Sequence, residues 1–186
     1  MTVALLVPLA QDVARDLLGA QPQRWAHTQG VGRRSEELVR LANLDDAEAE
    51  VLVAAGWLHD VGYAPRARRT GFPPLDGALH LEHEGWPDEI TQLVAHHSGA
   101  RFVADVHGLS EELAHFAVPG GRALDLLSYA DQTVGPAGLR VRVEDRIDDT
   151  LRRHGPDSPS ARAHARRGPY LLETAARMRA LLRGWS

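Results

Sequence analysis

Apolar residues recur along most of this chain at intervals of three and four, which is the spacing of a helix that buries one face. No stretch alternates convincingly between apolar and polar positions, so strands are not expected. A first helix is predicted over residues 7–19 and a second from about Pro22 to Asn43. The inner side of the first helix carries Leu9, Val13, Leu17 and Leu18. The pattern predicts an all-α fold, a compact bundle of roughly seven to nine helices.

Capping and breaker residues place the remaining helices. Asp45 and Glu48 carry the signature of a capping box, so a third helix should follow them and end at His59 and Asp60. Further helices are predicted from Asp76, from Pro87, over residues 100–107 and 110–117, from about Leu124 to Asp131, and over residues 143–154 and 160–183.

At 186 residues the chain can bury a sizeable core within one domain. We interpret residues 1–186 as that domain, with its motifs in residues 20–135 and the helices at 143–183 as scaffold, which could also form a homo-oligomer surface. A formal charge of −4 does not favour nucleic acid as a partner. Every basic residue is arginine and cysteine is absent, which excludes catalytic lysines, disulfides and thiolate metal sites. Without a long apolar run or a basic leader, we expect a cytoplasmic protein with no membrane partner.

The third predicted helix ends in adjacent histidine and aspartate residues, His59 and Asp60, and Gly62 and a proline-containing loop follow closely. The end of a packed helix suits a metal site, because the helix fixes the ligands while the chain beyond it opens a cavity. Neighbouring side chains on a helix point about 100° apart, so both could bind one ion only near that end, with other ligands arriving from elsewhere. The alternative is an ordinary buried histidine beside an aspartate that the helix dipole disfavours.

His27 and Asp131 each lie on an apolar helical face. Their neighbours on these faces are Val31, Leu38 and Leu41 for His27, and Leu124 and Leu127 for Asp131. A lone inward histidine is more often a core residue that bonds a carbonyl group, and the His59–Asp60 pair shifts the interpretation of His27 toward a ligand. A buried carboxylate such as Asp131 needs a partner, which could be an arginine or a metal ion.

Further histidines lie between these residues. His80 and His83 are three apart on one helical face and could be ligands, although the flanking glutamates are equally typical of a solvated turn. His97 continues the apolar stripe of its helix, whereas His96 is rotated by about 100° from it. We therefore predict that His97 lies near the site and that His96 lies at its edge or on the surface.

Residues 62–75 contain too many glycines and prolines for a regular element. Arg66, Arg68 and Arg69 fall in this loop, directly after the candidate ligands. Beside a metal ion, these guanidinium groups would suit a multiply charged phosphate ester, which arginine holds through paired hydrogen bonds. Without a metal site, a solvated basic loop is the simpler interpretation.

The order of one histidine, a His-Asp pair and a distant aspartate resembles the HD-domain superfamily of metal-dependent phosphohydrolases. The matching segments are RWAHTQGV, AGWLHDVGY and LLSYADQTVGP, and the resemblance continues through TGFPPLDGA and VAHHSGA, so that it covers roughly residues 20–135. It implies an HD-domain bundle in which His27, His59, Asp60 and Asp131 hold a metal ion together. The motif is specific for the superfamily and uninformative about the substrate.

The resemblance also bears on metal content. In bacterial HD proteins with a similar central segment, a histidine is expected where this chain has Pro73, and two-metal members use such extra histidines for a second ion. Proline offers no side-chain ligand, so we expect one firmly held divalent ion unless His80, His83 or His97 substitutes. Imidazole and carboxylate ligands suit Mn, Fe, Co, Ni or Zn.

The activity that the resemblance implies is hydrolysis of a nucleotide or another small phosphate ester, by a phosphomonoesterase or a phosphodiesterase. Asp60 and His97 would be catalytic, with His97 as a proton acceptor. The expected substrate-binding residues are Arg66, Arg68, Arg69 and Gln132. Two alternatives stay open: a di-iron oxygenase on the same scaffold, and a nucleotide-binding or regulatory module without catalysis.

Overall fold

The structure, a computed structural model, describes residues 6–120, 122–155 and 157–184. Its α-helices are α1 (Leu6–Leu18), α2 (Pro22–Leu41), α3 (Asp46–Leu58), α4 (Pro73–His83), α5 (Asp88–His96), α6 (Ala100–His107), α7 (Ser110–Leu113), α8 (Ala123–Gln132), α9 (Val143–His154) and α10 (Pro159–Arg183). Short 3₁₀ helices, Val61–Tyr63 and His97–Gly99, follow α3 and α5. Within these ranges there is no strand, only an isolated bridge between Val134 and Arg140, so the predicted all-α class is confirmed. None of the described helices is long and apolar enough to cross a membrane.

Local sequence signals set several helix boundaries. The carboxylate of Asp45 accepts a hydrogen bond from the backbone N–H of Glu48, whose side chain accepts one from the backbone of Asp45, so the predicted capping box of α3 is present. Helix α4 begins at Pro73, earlier than the predicted start at Asp76. Proline suits the first turn of a helix because its φ is already helical and its missing N–H would have no partner there.

The core forms where α2 and α3 pack against each other and against α8. Fully buried side chains in this core include Leu38, Leu52, Leu58, Leu126 and Leu127. Helix α1 covers α3, α4 packs on α5, and α10 packs on α6, α8 and α9. Because α8 contacts both α2 and α3, the fold brings together three helices that are distant in sequence.

Two residues predicted to face the core are largely exposed. Leu9 is 41% exposed and Leu41 is 43% exposed. In α1 the buried stripe runs through Leu6, Ala10 and Ala14, so small residues, more than the large Leu9, form the contact with the core. Leu41 is the last residue of α2, and the fully buried positions at this end of the helix are Leu38 and Ala42.

Gly62 lies where the 3₁₀ helix after α3 touches α4. A Cβ atom at Gly62 would lie 1.9 Å from the carbonyl oxygen of Pro73 and 2.6 Å from the backbone nitrogen of Gly77. These are backbone atoms that cannot rotate aside, so Gly62→Ala should lower the free energy of unfolding by about 1–3 kcal/mol or more. Urea denaturation would measure the loss. The control is Gly120→Ala, where a Cβ meets nothing within 4 Å and stability should barely change; equal stability of the two variants would contradict this account.

Candidate metal centre

The His-Asp pair lies where α3 gives way to the 3₁₀ helix that follows it. His59 is the C-terminal capping residue of α3, and Asp60 directly precedes the 3₁₀ helix. The residues from Leu52 to Leu58 are all buried, which anchors this end of α3 in the core. His59 is only 1% exposed and Asp60 only 5% exposed, so both side chains are withdrawn from solvent.

Four side chains from three helical regions converge at this point. The Nε2 atom of His59 lies 3.3 Å from Oδ2 of Asp60 and 4.0 Å from Oδ1 of Asp131. The Nε2 atom of His27 lies 3.8 Å from Oδ2 of Asp60 and 3.0 Å from Oδ1 of Asp131. The four residues that the sequence singled out therefore form one buried cluster, although His27 and Asp131 are 104 residues apart.

These separations suit the coordination shell of a single ion. Ligand atoms about 2.1 Å from a transition metal lie about 3.0 Å apart when they are adjacent in an octahedron and about 4.2 Å apart when they are opposite. The nitrogen–oxygen distances in the cluster, from 3.0 to 4.0 Å, fall within that range. One ligand atom from each of His27, His59 and Asp60 lies within 4.8 Å of the others. His27, His59 and Asp60 could therefore hold a metal ion. Asp131 lies outside this group of three but is close to both imidazoles, and its role as a fourth ligand stays a prediction.

Backbone carbonyl groups orient both histidines of the cluster. The Nδ1 atom of His59 lies 2.9 Å from the carbonyl oxygen of Gly56, and that of His27 lies 3.2 Å from the carbonyl oxygen of Gly135. Because a carbonyl oxygen only accepts, each Nδ1 carries a proton and each Nε2 points into the cluster, where that of His27 is within hydrogen-bond distance of Oδ1 of Asp131. Within the part of the chain that the structure describes, the Nε2 atom of His59 is buried without a hydrogen-bond partner. A buried polar atom without a partner costs free energy, and a metal ion at this position would compensate for it.

Hydrogen bonds on its outer oxygen hold Asp131 in place. This oxygen, Oδ2, accepts from the hydroxyl of Ser98 and, at 2.8 Å, from Nε2 of Gln132. The inner oxygen, Oδ1, is left facing His27. Outer hydrogen bonds of this kind orient the carboxylates that bind metals. The second N–H of Gln132 goes to Ser98, so the amide donors of Gln132 position Asp131, and its predicted contact with substrate stays a prediction.

Ser98 is a part of the site that the sequence did not reveal. Its backbone is in the left-handed region, with φ 53° and ψ 33°. The backbone N–H donates to Oγ of Ser128, and the carbonyl accepts from Nε of Arg167, both at 2.8 Å. For a residue other than glycine this conformation costs on the order of 1–3 kcal/mol. It persists only where the surrounding structure holds the residue in it. The available signal was a serine followed by Gly99, which indicates a turn but not a support for a ligand.

Both carboxylates of the cluster are held in the charged form. Burial would raise the pKa of Asp60, but the positive charge of Arg24 and the imidazole of His59 outweigh burial and hold this pKa well below its ordinary value. Nη1 of Arg24 donates to Oδ2 of Asp60 at 2.5 Å, and its guanidinium lies 3.6 Å from the ring centre of Tyr63. Burial would also raise the pKa of Asp131, and the hydrogen bond from His27 and the charges nearby again lower it well below the ordinary value.

The histidines at the site differ in their protonation. Burial would lower the pKa of His59, but the carboxylates of Asp60 and Asp131 raise it above the ordinary value. Burial and the neighbouring His59, with ring centres 5.3 Å apart, lower the pKa of His97. Nδ1 of His97 donates to the carbonyl of Val94 at 2.7 Å. His97 is therefore a neutral imidazole whose Nε2 is an acceptor.

The cluster opens into a cavity of about 350 Å³, which Asp60, Asp131 and His97 help to line. The arginines of its wall are Arg24, Arg146, Arg153 and Arg167, and its apolar side includes Phe72, Pro74, Ala100 and Val103. Three of the four arginines come from α9 and α10, so the last third of the chain contributes side chains to this cavity, and its expected role as scaffold stays a prediction. These arginines sit on amphipathic helices among many other charged residues, and no local pattern marks the ones that face a cavity.

The arginine loop does not reach this cavity. Arg66, Arg68 and Arg69 are exposed, and none of them lines the cavity at the cluster. Arg66 forms an ion pair with Asp16 and lines a different cavity. Ala67 is 1% exposed, so this buried residue anchors the loop and turns its flanking arginines outward. Their expected role in holding phosphate is not supported by this placement.

Two other expectations about histidines also need correction. His80 is partly buried and lines the cavity that contains Arg66, and His83 is exposed, so neither joins the cluster. His96 is 7% exposed and is not a surface residue. Its Nε2 donates to the carbonyl of Phe116 at 2.8 Å, which satisfies it inside the core. Of these four histidines, His97 is the one that contacts the cluster.

Adding a divalent transition metal such as Mn²⁺ to metal-stripped protein should raise its Tm. An ion that binds only the folded state stabilises by mass action, by about 2.7 kcal/mol at a hundredfold excess over Kd. Asp131→Asn and His59→Gln should lose most of the shift, whereas His115→Gln, at an exposed residue paired with Glu82, should keep it. Thermal melts with elemental analysis would measure both effects. An unchanged Tm after verified metal loading would count against the site.

Acid should destabilise the metal-free protein through these aspartates. Because the pKa values of Asp60 and Asp131 are lower in the folded state, they contribute stability above their unfolded pKa of about 4 and lose it as the pH falls toward the folded values. Urea titrations below about pH 4 should show this loss, and Asp131→Asn should flatten it. Asp12→Asn, at an exposed residue, should leave the profile unchanged. Parallel profiles for all three proteins would refute the assignment.

No protein-family model matches the chain, and no curated protein or solved structure matches it either. The chemistry of the buried cluster and of the cavity in front of it is therefore the basis for proposing a function.

Proposed function

We propose that this protein is a metal-dependent phosphohydrolase that acts on a nucleotide or another small phosphate ester. The observation that carries the proposal is the convergence of two imidazoles and two carboxylates in the core, facing a cavity lined by arginines. The resemblance to HD-domain phosphohydrolases in the sequence points to the same chemistry through the same four residues.

The donor set and the charges at the cavity support a metal and an anionic substrate. Imidazole and carboxylate together suit divalent transition metals better than Ca²⁺. Four guanidinium groups line the cavity against two carboxylates, so positive charge is already in excess before any ion is added. Arginine recognises phosphate through paired hydrogen bonds, which makes a phosphate ester the best match.

The residues around the cavity have separate roles in holding the metal, accepting a proton and binding the phosphate. A bound ion would polarise a phosphoryl oxygen and lower the pKa of water at its open positions. His27, His59, Asp60 and Asp131 hold that ion, and Ser98 and Gln132 keep Asp131 oriented. His97 accepts the proton of the attacking water at Nε2, because its lowered pKa keeps the imidazole neutral. Arg24, held between Asp60 and Tyr63, stabilises negative charge on the phosphoryl oxygens.

The dimensions of the cavity favour a small substrate. Its volume of about 350 Å³ lies at the lower end of the range of roughly 300–1,000 Å³ for small-molecule pockets. Phe72 and Val103 on the apolar side would contact the organic part of the ester. A di-iron oxygenase is not favoured, because of the three histidines that could have completed a second iron site, His80 and His83 lie elsewhere and only His97 is beside the cluster.

A phosphate-release screen tests the proposal. Protein of known metal content would be incubated with nucleotides and sugar phosphates in the presence of Mn²⁺, Co²⁺, Ni²⁺ or Zn²⁺. We expect metal-dependent release of phosphate. His97→Gln should retain the metal but lower kcat by about 10²- to 10⁴-fold, the usual contribution of a general base. Asp131→Asn should lose metal and activity together, and His115→Gln should lose neither.

Two outcomes would contradict this mechanism. An unchanged kcat in His97→Gln would remove the assigned proton acceptor. Tight nucleotide binding without turnover by metal-loaded protein across the whole panel would refute the hydrolase and support a non-catalytic nucleotide-binding module.

A further inference from the structure

Arg146 of α9 is a buried cation whose donors are not satisfied. Its side chain is 10% exposed, and its Nε and Nη1 atoms are both buried without a hydrogen-bond partner among the described residues. Asp149 provides an ion pair, but its Oδ2 lies 3.8 Å from Nη1, which is too far for a hydrogen bond. Buried guanidinium donors without acceptors cost free energy, so an acceptor other than the residues that the structure describes would stabilise this position.

Two other arginines on the same cavity wall add to the positive charge. Arg153, seven residues along α9, donates through Nε to Asp149 at 2.8 Å, so a single carboxylate serves two guanidinium groups. Arg167 of α10 donates a hydrogen bond through Nε to the carbonyl of Ser98. Burial lowers the pKa of Arg167, the charges of Asp131 and Tyr63 oppose this effect, and the nearby charge of Arg146 adds to it, so the two cations are close enough to repel each other. An anion between them would relieve this repulsion.

Arg146 stands between two adjoining spaces. It lines the cavity at the cluster and also a second cavity of about 280 Å³, and Arg24, Tyr63 and Arg153 line both. Its charge also contributes to the lowered pKa of Asp131, after the larger effects of burial and the neighbouring histidines, so it lies within electrostatic reach of the cluster. A ligand that begins at the cluster can therefore extend to Arg146.

We propose that Arg146, with Arg153 and Arg167, forms a subsite for a second phosphate group of the substrate. The substrate class is then a phosphate ester that carries two phosphate groups, one at the cluster and one at this subsite. The planar guanidinium group matches phosphate geometry through two parallel hydrogen bonds. This inference rests on the proposed function for the reacting phosphate, but the subsite itself needs neither metal nor turnover to bind an anion.

Calorimetric titration of the metal-stripped full chain with inorganic pyrophosphate tests the subsite. We expect the unsubstituted protein to bind it and Arg146→Gln to bind it about tenfold or more weakly, which corresponds to one lost charge-assisted contact. Arg153→Gln should show a smaller loss in the same direction. Arg152→Gln is the matched control, because this exposed arginine is on the same helix and does not line the cavity. Thermal melts would verify that each variant folds. If Arg146→Gln does not fold, the comparison of Arg153→Gln with Arg152→Gln tests the subsite instead.

The outcomes separate this inference from the proposed function. Failure of the unsubstituted protein to bind pyrophosphate, or equal affinity in the Arg146 and Arg152 variants, would overturn the subsite. Arginine-dependent binding by a protein that hydrolyses no phosphate ester would sustain the subsite and refute the hydrolase. Hydrolysis of esters with one and with two phosphates that is equally indifferent to Arg146→Gln would sustain the hydrolase and overturn the subsite.

Discussion

Two carboxylates buried beside the same pair of imidazoles are the constraint on which this structure depends. Asp60 and Asp131 would repel each other in a medium of low dielectric constant, and each would be costly to bury alone. Positive or polar groups next to the carboxylates reduce this cost. His27 and His59 lie close to both carboxylates, and Arg24 donates a hydrogen bond to Asp60. Removing one of these groups would leave a buried charge with less compensation and destabilise the fold.

This constraint explains features of the backbone that would otherwise look irregular. Helix α5 stops at His96, the chain passes through a left-handed residue at Ser98, and α6 starts at once. The interruption lets the hydroxyl of Ser98 reach Asp131, while the backbone of Ser98 is fixed by Ser128 and Arg167. Local strain in the chain is therefore coupled to the orientation of one carboxylate oxygen.

The sequence was informative where a residue's environment is set by its own helix. The face of α2 placed His27 inward, the buried run of α3 delivered His59 and Asp60, and the capping box at Asp45 marked the start of α3. These are local consequences of helical periodicity. The sequence was least informative about loops, where the burial of Ala67, an unremarkable residue, decides which way its neighbours point.

The arginines of the cavity show the other limit of sequence reasoning. Arg146 and Arg167 belong to helices whose charged residues mostly face solvent, and which of them face inward depends on how α9 and α10 pack, more than a dozen residues beyond Asp131. Hydrophobic periodicity is a property of a single helix. It does not indicate which other helix or cavity a given face will contact. A loop rich in arginine next to the candidate ligands was therefore more conspicuous in the sequence than the arginines that line the cavity.

The contact between Arg24 and Asp60 has a consequence for how such a protein would be assembled in a cell. A guanidinium group balances the carboxylate and backbone carbonyls orient the imidazoles, so contacts within the chain itself hold these donors in position. A zinc finger, in contrast, folds only around its metal. Under the proposed function, folding and metallation would be separate events, and the identity of the ion would follow the supply of metals after synthesis, since donors of this kind accept several of them.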